Sequence, residues 1–361
     1  MSQNEITMKN DIYVKLRQKL DRYSVGFPTT RSGVELEILK ELFSEMEAEM
    51  FLNMELPGET CEQVARRLGR DPDRTAKLLD QMANKGLLFR LKKEDAAFYS
   101  AMPYVIGIYE YQVRHMDKKR AELFDRYLEE KLSERVAEYG IPLRPIAVNR
   151  SLDVSRPVST YEDAREIIKS QDQIAVAKCI CRLEKNHLGK GCGKPLEVCL
   201  SFGAHAQYCV DIGMSRWIGQ EEALKIMDKS DEAGLVPMPT NSQTPVGICN
   251  CCGDCCAVLT SIKKRPRPVE GILSNFHAVV DPDLCMACEL CKERCQMEAI
   301  DIGPDDTALV DLDRCIGCGL CMTTCPAGAI SLESIPETER SAPPVKFRDA
   351  VMEIMHHRGI V

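Results

Sequence analysis

The pattern of apolar and polar positions divides the chain into an N-terminal run of helices, a middle stretch of mixed period and a C-terminal segment of short strands. Glu35 to Phe43 carries Leu36, Leu39, Leu42 and Phe43 on one face, which predicts an amphipathic helix. Ser44 with Glu47, and Thr60 with Gln63, have the spacing of capping boxes and open helices running to Met54 and from Cys61 to Leu68. Asp71 caps a further helix with Pro72 at its first position; Ala76, Leu79, Met82 and Ala83 line its face, and Gly86 stops it. Leu87 to Leu91 and Ala97 to Ala101 then read as strands joined by the charged turn Lys92 to Asp95. Tyr104 to Tyr139 reads as one long helical stretch, packing on this first domain or pairing with a second copy.

The order of helices and hairpin, and above all LLDQMANKGLLFR (Leu78 to Arg90), resembles the winged-helix domain of bacterial regulators of the MarR type. The resemblance implies a third helix offering Arg74, Thr75 and Lys77 to DNA and a wing offering Arg90, Lys92 and Lys93. Charge argues the other way. Residues 1–131 hold 22 Lys and Arg against 23 Asp and Glu, without the cationic excess that supplies most non-specific affinity. DNA binding is therefore not the favoured reading; protein contact or a homodimer through this domain is. Cys61, His115 and Met116 read as packing residues.

Cysteine spacing carries the chemistry. Cys285, Cys288, Cys291 and Cys295, and thirty residues on Cys315, Cys318, Cys321 and Cys325, both read C-x2-C-x2-C-x3-C, and the second run continues into Pro326. Three thiolates so spaced on one tight loop reach three corners of a cubane, and the fourth corner faces away. Asp283 and Asp313, Leu290 and Leu320, Ala299 and Ala329, Ile300 and Ile330 repeat with the same period. His277 to Val280 and Ala308 to Val310 read as strands entering each half, Ala299 to Ile302 and Ala329 to Leu332 as strands leaving it. The segment resembles the bacterial ferredoxins that carry two 4Fe–4S clusters. That resemblance implies that Cys285, Cys288, Cys291 and Cys325 hold cluster one, and Cys315, Cys318, Cys321 and Cys295 cluster two. Gln296 stands where the family has proline.

Between these regions Pro142 and Pro145 mark a linker. Ile146 to Val154 reads as extended, Tyr161 to Ser170 as a short helix, and Ile174 to Ala177 as a strand delivering the chain into Cys179 and Cys181. Glycines 189, 191 and 193 surround Cys192 without the GK[ST] ending of a phosphate loop, and read as slack around a ligand. Pro195 is expected to open a helix bearing Cys199 and Cys209, and Glu221 to Ala233 a helix with Ala223, Leu224 and Met227 inward. Cys249, Cys251, Cys252, Cys255 and Cys256 then crowd into eight residues, more thiols than one cubane takes. With Cys179, Cys181, Cys192 and Cys199 they are candidate ligands of one or two further clusters, at least one of them 4Fe–4S, with zinc the rival. Cys209, mid-helix, is the weakest candidate.

Length and composition fit a multidomain α+β chain: a winged helix with its following helix at 1–140, a cysteine-rich α+β domain at 141–275, a ferredoxin-like two-cluster domain at 276–335, and a tail at 336–361. The tail's helix, Phe347 to His357, needs a surface for Val351, Ile354 and Met355. Nineteen cysteines with no apolar leader and no apolar run long enough to span a membrane suit metal ligation in a reducing cytoplasm. The net charge of −8 is concentrated between His277 and Ser334, where eleven acidic side chains face three basic ones; such a surface suits docking to a basic redox partner. The cysteine pattern over the full length resembles multidomain 4Fe–4S electron-transfer proteins of anaerobic bacteria. The expected function is passage of electrons between redox partners through several clusters, with no catalytic residue assigned. A redox-responsive winged-helix regulator, and an oxidoreductase with a cluster-based site in the middle domain, are the readings from other classes.

Overall fold

The computed structural model describes residues 11–148 and 159–361, so part of the expected extended segment to Val154 lies outside the described residues. Helices α1 (Ile12–Leu20), α2 (Val34–Leu42) and α3 (Glu45–Leu52) lead into β1 (Glu59–Thr60), α4 (Cys61–Leu68), α5 (Pro72–Asn84), β2 (Phe89–Lys93) and β3 (Ala96–Ser100). Both capping boxes form, with Ser44 on the Glu47 amide and Thr60 on the Gln63 amide, and Asp71 caps α5 as its proline-led start requires. The three strands make one antiparallel sheet in the order β1-β3-β2.

The stretch expected as one long helix is broken. Ile106 sits at φ 44, ψ 68, and Gly107 lies outside helical space, so Tyr104–Ile108 is a single distorted turn. The Glu110 carboxylate accepts a 2.7 Å hydrogen bond from the Gly107 amide and fixes that turn. A short 3-10 segment follows to His115, and Asp117 then caps α6 (Lys118–Tyr127); after a wide turn at Leu128–Leu132 comes α7 (Ser133–Tyr139). Ile108, Tyr111, Met116, Leu123, Tyr127 and Leu132 are buried as near-helical spacing suggests, but His115, expected to pack, is exposed, and apolar spacing carries no signal for a carboxylate that captures a backbone amide.

The middle region is built on a five-stranded antiparallel sheet. Asp163 caps α8 (Ala164–Lys169), and then come β4 (Ile174–Lys178), α9 (Ile180–His187), β5 (Glu197–Phe202), α10 (Gly203–Asp211) and β6 (Ser215–Ile218). After α11 (Gln220–Glu232) follow β7 (Val236–Pro239), β8 (Gly247–Cys251) and α12 (Ala257–Lys263), and the strands lie in the order β6-β4-β5-β8-β7. Cys199 is therefore on a strand and not on the expected helix; the alternating run Val198–Phe202 pairs with β4, and helix begins only at Gly203. Val176, Leu200 and Ile248 face α8 and α11 across one apolar core. The period of two sends Ala177, Cys199 and Cys249 to the opposite face.

The C-terminal repeat comprises β9 (Phe276–Val280), α13 (Leu290–Arg294), β10 (Ile300–Ile302), β11 (Ala308–Val310), α14 (Leu320–Thr324) and β12 (Ile330–Ser334). The strand entering the first half pairs with the strand leaving the second, and β10 pairs with β11. A continuous core runs from Leu16 through Tyr208 and Leu259 to Leu320, joining all three regions. The tail helix α15 (Phe347–His357) finds its surface on this chain: Ile354 is buried in that core, and the Arg358 guanidinium donates to the carbonyls of Asp21 (2.7 Å) and Ser24 (2.8 Å).

Candidate metal centres

In the C-terminal repeat two small cavities carry four thiols each. One is lined by Cys285, Cys288, Cys291 and Cys325, the other by Cys295, Cys315, Cys318 and Cys321. The sequence-predicted sets are thus the sets the fold brings together. Each ligand loop wraps its cavity because two positions adopt left-handed backbone: Ala287 and Glu289 in the first half, Gly317 and Gly319 in the second. Backbone amides point at the sulfurs in matched pairs, Ala308 to Cys285 (3.4 Å) and Ala278 to Cys315 (3.4 Å), Ala299 to Cys295 (3.2 Å) and Ala329 to Cys325 (3.3 Å). Amides so placed favour thiolate over thiol and raise the potential of anything the thiolates ligate. Burial pushes the Cys321 thiol up to about 12, with Cys315 and Cys295 adding to the shift.

The two cavities differ in what lies outside them. Cys288 is exposed, with Met286 and Leu290 at the surface beside it. On the second set, Ile316 and Leu320 are covered, and the Cys318 carbonyl accepts from the Val148 amide at 2.9 Å. Gln296, the departure from the family's proline, makes the junction to the middle region: its side-chain carbonyl accepts from the Gly253 amide at 2.7 Å. A Cβ on Gly253 would stand 2.2 Å from the Gln296 carbonyl oxygen, so the two loops touch backbone to backbone. Arg294 donates to the Glu232 carbonyl (2.9 Å), Arg267 pairs with Asp313 (2.9 Å), and Lys263 pairs with Glu298. The basic link thus contacts the acidic repeat.

The middle region sorts its ten cysteines. Cys192, Cys252 and Cys255 lie with their sulfurs within 4.8 Å of one another, Cys192 and Cys252 at 3.9 Å, and Cys179 packs on the same group. Cys181, Cys256, Cys251, Cys249 and Cys199 form a second, continuous series of thiol contacts in that order, and Cys179 touches its Cys181 end. Three thiols are held well below the ordinary range by neighbours that hydrogen-bond to them: Cys249 by Cys199 and Cys251, Cys252 by Cys255, and Cys256 by Cys181 and Cys251. Cys209 joins neither group; it is buried in α10 beside Ser201 and Ser215. Cys61 is half-buried rather than buried, and its thiol donates to Glu62 at 3.0 Å.

Arg182 follows Cys181 directly, a position from which the sequence alone gives it no role. Its side chain is 1% exposed, and Nη1 reaches the Asn250 carbonyl (3.1 Å) and the Cys252 sulfur (3.7 Å). Nε and Nη2 have no hydrogen-bond partner among the described residues. Burial works against its charge, and the neighbouring cysteines Cys179, Cys252 and Cys251 together outweigh burial and favour the protonated guanidinium. A buried guanidinium without a carboxylate is costly unless anionic charge stands beside it, which a thiolate-ligated cluster supplies. The donor set therefore fits an anionic metal–sulfur group.

The second thiol series faces a cavity of about 140 Å³ whose far wall is Tyr104, Ile106, Tyr109, Glu110, Phe124 and His205. Tyr109 donates to Glu184 at 2.8 Å, and the Tyr111 hydroxyl lies 2.7 Å from His205 Nε2. Burial pushes Glu110 up to about 8 and Glu184 up to about 7, and brings His205 down to about 4. No sequence motif marks this wall, which is assembled from the broken stretch after β3 and from α6, α9 and α10.

Residues 278–332 match the family model of the 4Fe-4S dicluster domain. No curated protein and no solved structure matches the chain. Among the described residues no helix is long and apolar enough to cross a membrane.

Proposed function

We propose that the chain is an iron–sulfur electron-transfer protein that passes electrons between a middle-region cluster and a redox partner docked on the C-terminal repeat. In this reading Cys285, Cys288, Cys291 and Cys325 hold one 4Fe–4S cluster, Cys295, Cys315, Cys318 and Cys321 a second, and Cys179, Cys192, Cys252 and Cys255 a third. The dicluster match and the four-thiol cavities support the first two, and the buried Arg182 guanidinium, donating to the Cys252 sulfur and paired with no carboxylate among the described residues, supports the third. Clusters of this kind take up and release single electrons.

The observation that carries the reading is the Gln296–Gly253 junction. It sets the ligand loop that ends at Cys295 against the loop bearing Cys252 and Cys255, so the second and third thiol sets share one interface. The first set lies at the other end. There Leu284, Met286 and Leu290 are exposed, with Asp281, Asp283, Glu289 and Glu293 around them in sequence, which suits a partner presenting an apolar spot ringed by Lys and Arg.

The N-terminal helices and sheet serve protein contact in this reading, a winged helix turned inward. Arg90 is buried and paired with Asp80 (2.8 Å), Lys92 pairs with Asp211 (2.7 Å), and Phe89 stacks on His205, so the strand that would offer a wing to DNA is spent on α10. Iron and sulfide analysis of anaerobically purified chain tests the assignment. About twelve irons or more per chain are expected, and about eight would remove the middle-region cluster.

A further inference from the structure

We infer that four of the five thiols Cys181, Cys199, Cys249, Cys251 and Cys256 hold an iron–sulfur centre of their own, and that the rest of the cavity they face admits a small, uncharged, chiefly apolar molecule to that centre. This rests on reading the middle region as iron–sulfur, and it adds a binding site to what was read as a conduit.

Strand geometry separates the two thiol groups. On β8 the period of two puts Cys249 and Cys251 on one face and turns Asn250 to the other, where its amide donates to the Val198 carbonyl at 2.8 Å. The pairing of Leu200 with Ile248 sets Cys199 beside Cys249. The chain then turns at Cys252 and Gly253, sending Cys252 and Cys255 to the Cys192 group, and Cys256 returns to the first face at the start of α12. Arg182, whose Nη1 reaches both the Cys252 sulfur and the carbonyl of Asn250, the residue between Cys249 and Cys251, stands next to both groups. One buried cation beside two anionic centres is a better electrostatic fit than beside one, because thiolate-ligated clusters repel each other when nothing lies near them.

Volume decides that more than a cubane fits. The two cavities lined by the ferredoxin-type cysteines measure about 20 Å³ each, against about 140 Å³ for the cavity at the five thiols. A dry apolar cavity of roughly 150 Å³ accepts a molecule the size of benzene. The far wall is aromatic and aliphatic. Its carboxylates are engaged already, Glu110 by the Gly107 amide and Glu184 by Tyr109, and no Lys or Arg lines the cavity to pair with a charged ligand. Tyr104 Oη, buried and without a hydrogen-bond partner among the described residues, is available to one polar atom of the guest. Ile106, a β-branched residue at positive φ, lies on the same wall; such strain persists where the surroundings hold a shape against it, and here the shape is the cavity's.

Full-length chain, reconstituted anaerobically with iron and sulfide, tests the inference. Wild type is expected to hold about sixteen irons, and Cys249→Ser/Cys251→Ser to lose about a quarter of them, with the ferredoxin-type electron paramagnetic resonance signals unchanged as a check of folding. Cys192→Ser/Cys252→Ser is expected to lose a different quarter. Full iron retention by the first variant, or the same combined loss in both, overturns a separate centre. Full retention by the second variant alone would instead remove the third cluster of the electron-transfer reading and leave this one standing. Xenon is the probe for the remaining space: anaerobic holo-protein crystals under xenon are expected to show a peak between Cys249 and Tyr104, absent in Leu132→Trp at equal iron content. No xenon in wild type means that the centre fills the cavity and overturns the guest site.

Discussion

Met286 and Ile316 hold the same place in the thirty-residue repeat, yet one is 61% exposed and the other 2%. Leu290 and Leu320 differ in the same sense, 43% against fully covered. The two halves share backbone, ligand spacing and amide-to-sulfur bonds, so the contrast is imposed from outside: the middle region covers the second half and leaves the first to solvent. On the proposed electron-transfer reading, two sites of identical local design thereby take different duties, one as an inner relay and one as a terminal. Identical ligation in unequal dielectric also separates their potentials, because burial disfavours the more highly charged state.

The largest test of this contrast removes one ligand from each half. Cys318→Ser and Cys288→Ser should each lose about four irons, but only Cys318→Ser should also lower the unfolding midpoint of the full chain, by the equivalent of about 3 kcal/mol or more, since its cavity lies under the continuous core. Equal shifts in anaerobic thermal melts would erase the distinction. Leu320→Ala comes next, at about 3 kcal/mol, whereas Leu290→Ala should stay within about 0.5 kcal/mol.

Backbone exchange between the halves is smaller in effect. In the second half Gly317 has φ +63, and an added Cβ would meet the Phe276 carbonyl oxygen at 2.2 Å, so Gly317→Ala should cost about 2 kcal/mol. Ala287→Gly relieves a positive φ of 50 in the first half and should change stability by less than about 1 kcal/mol. The smallest change is Gln296→Pro, which restores the family's residue and deletes the bond to Gly253, at about 1 kcal/mol. Its signature is local. Amide exchange at Gly253 should speed up while the cysteine-coordinated iron stays constant; unchanged exchange would deny Gln296 its role as the junction.

Much of the site was legible because its logic is local. The eight C-terminal cysteines stand out by their spacing on two tight loops, and both capping boxes and the Pro72 start were readable as side-chain reach over three residues. The helix expected around Cys199 and the unbroken helix after Tyr104 failed for one reason. Each was decided by a partner distant in the chain or by a backbone capture, β4 for Cys199 and Glu110 for Gly107, and neither leaves a mark on apolar period.

The sequence by itself determined which sulfurs belong to the ferredoxin-type loops, because a cubane's corners are as close together as three residues of chain. It also determined that the middle cysteines are too many for one cluster. Only the tertiary structure decided how they divide, because strand alternation on β8 and the register against β5 assign each thiol to a face. Tertiary packing likewise decided which half of the repeat meets solvent, that Gln296 joins the repeat to the Gly253 loop, and that Arg182 carries its buried charge to the Cys252 sulfur. Those outcomes depend on which surfaces meet, and surfaces meet only after the chain has folded.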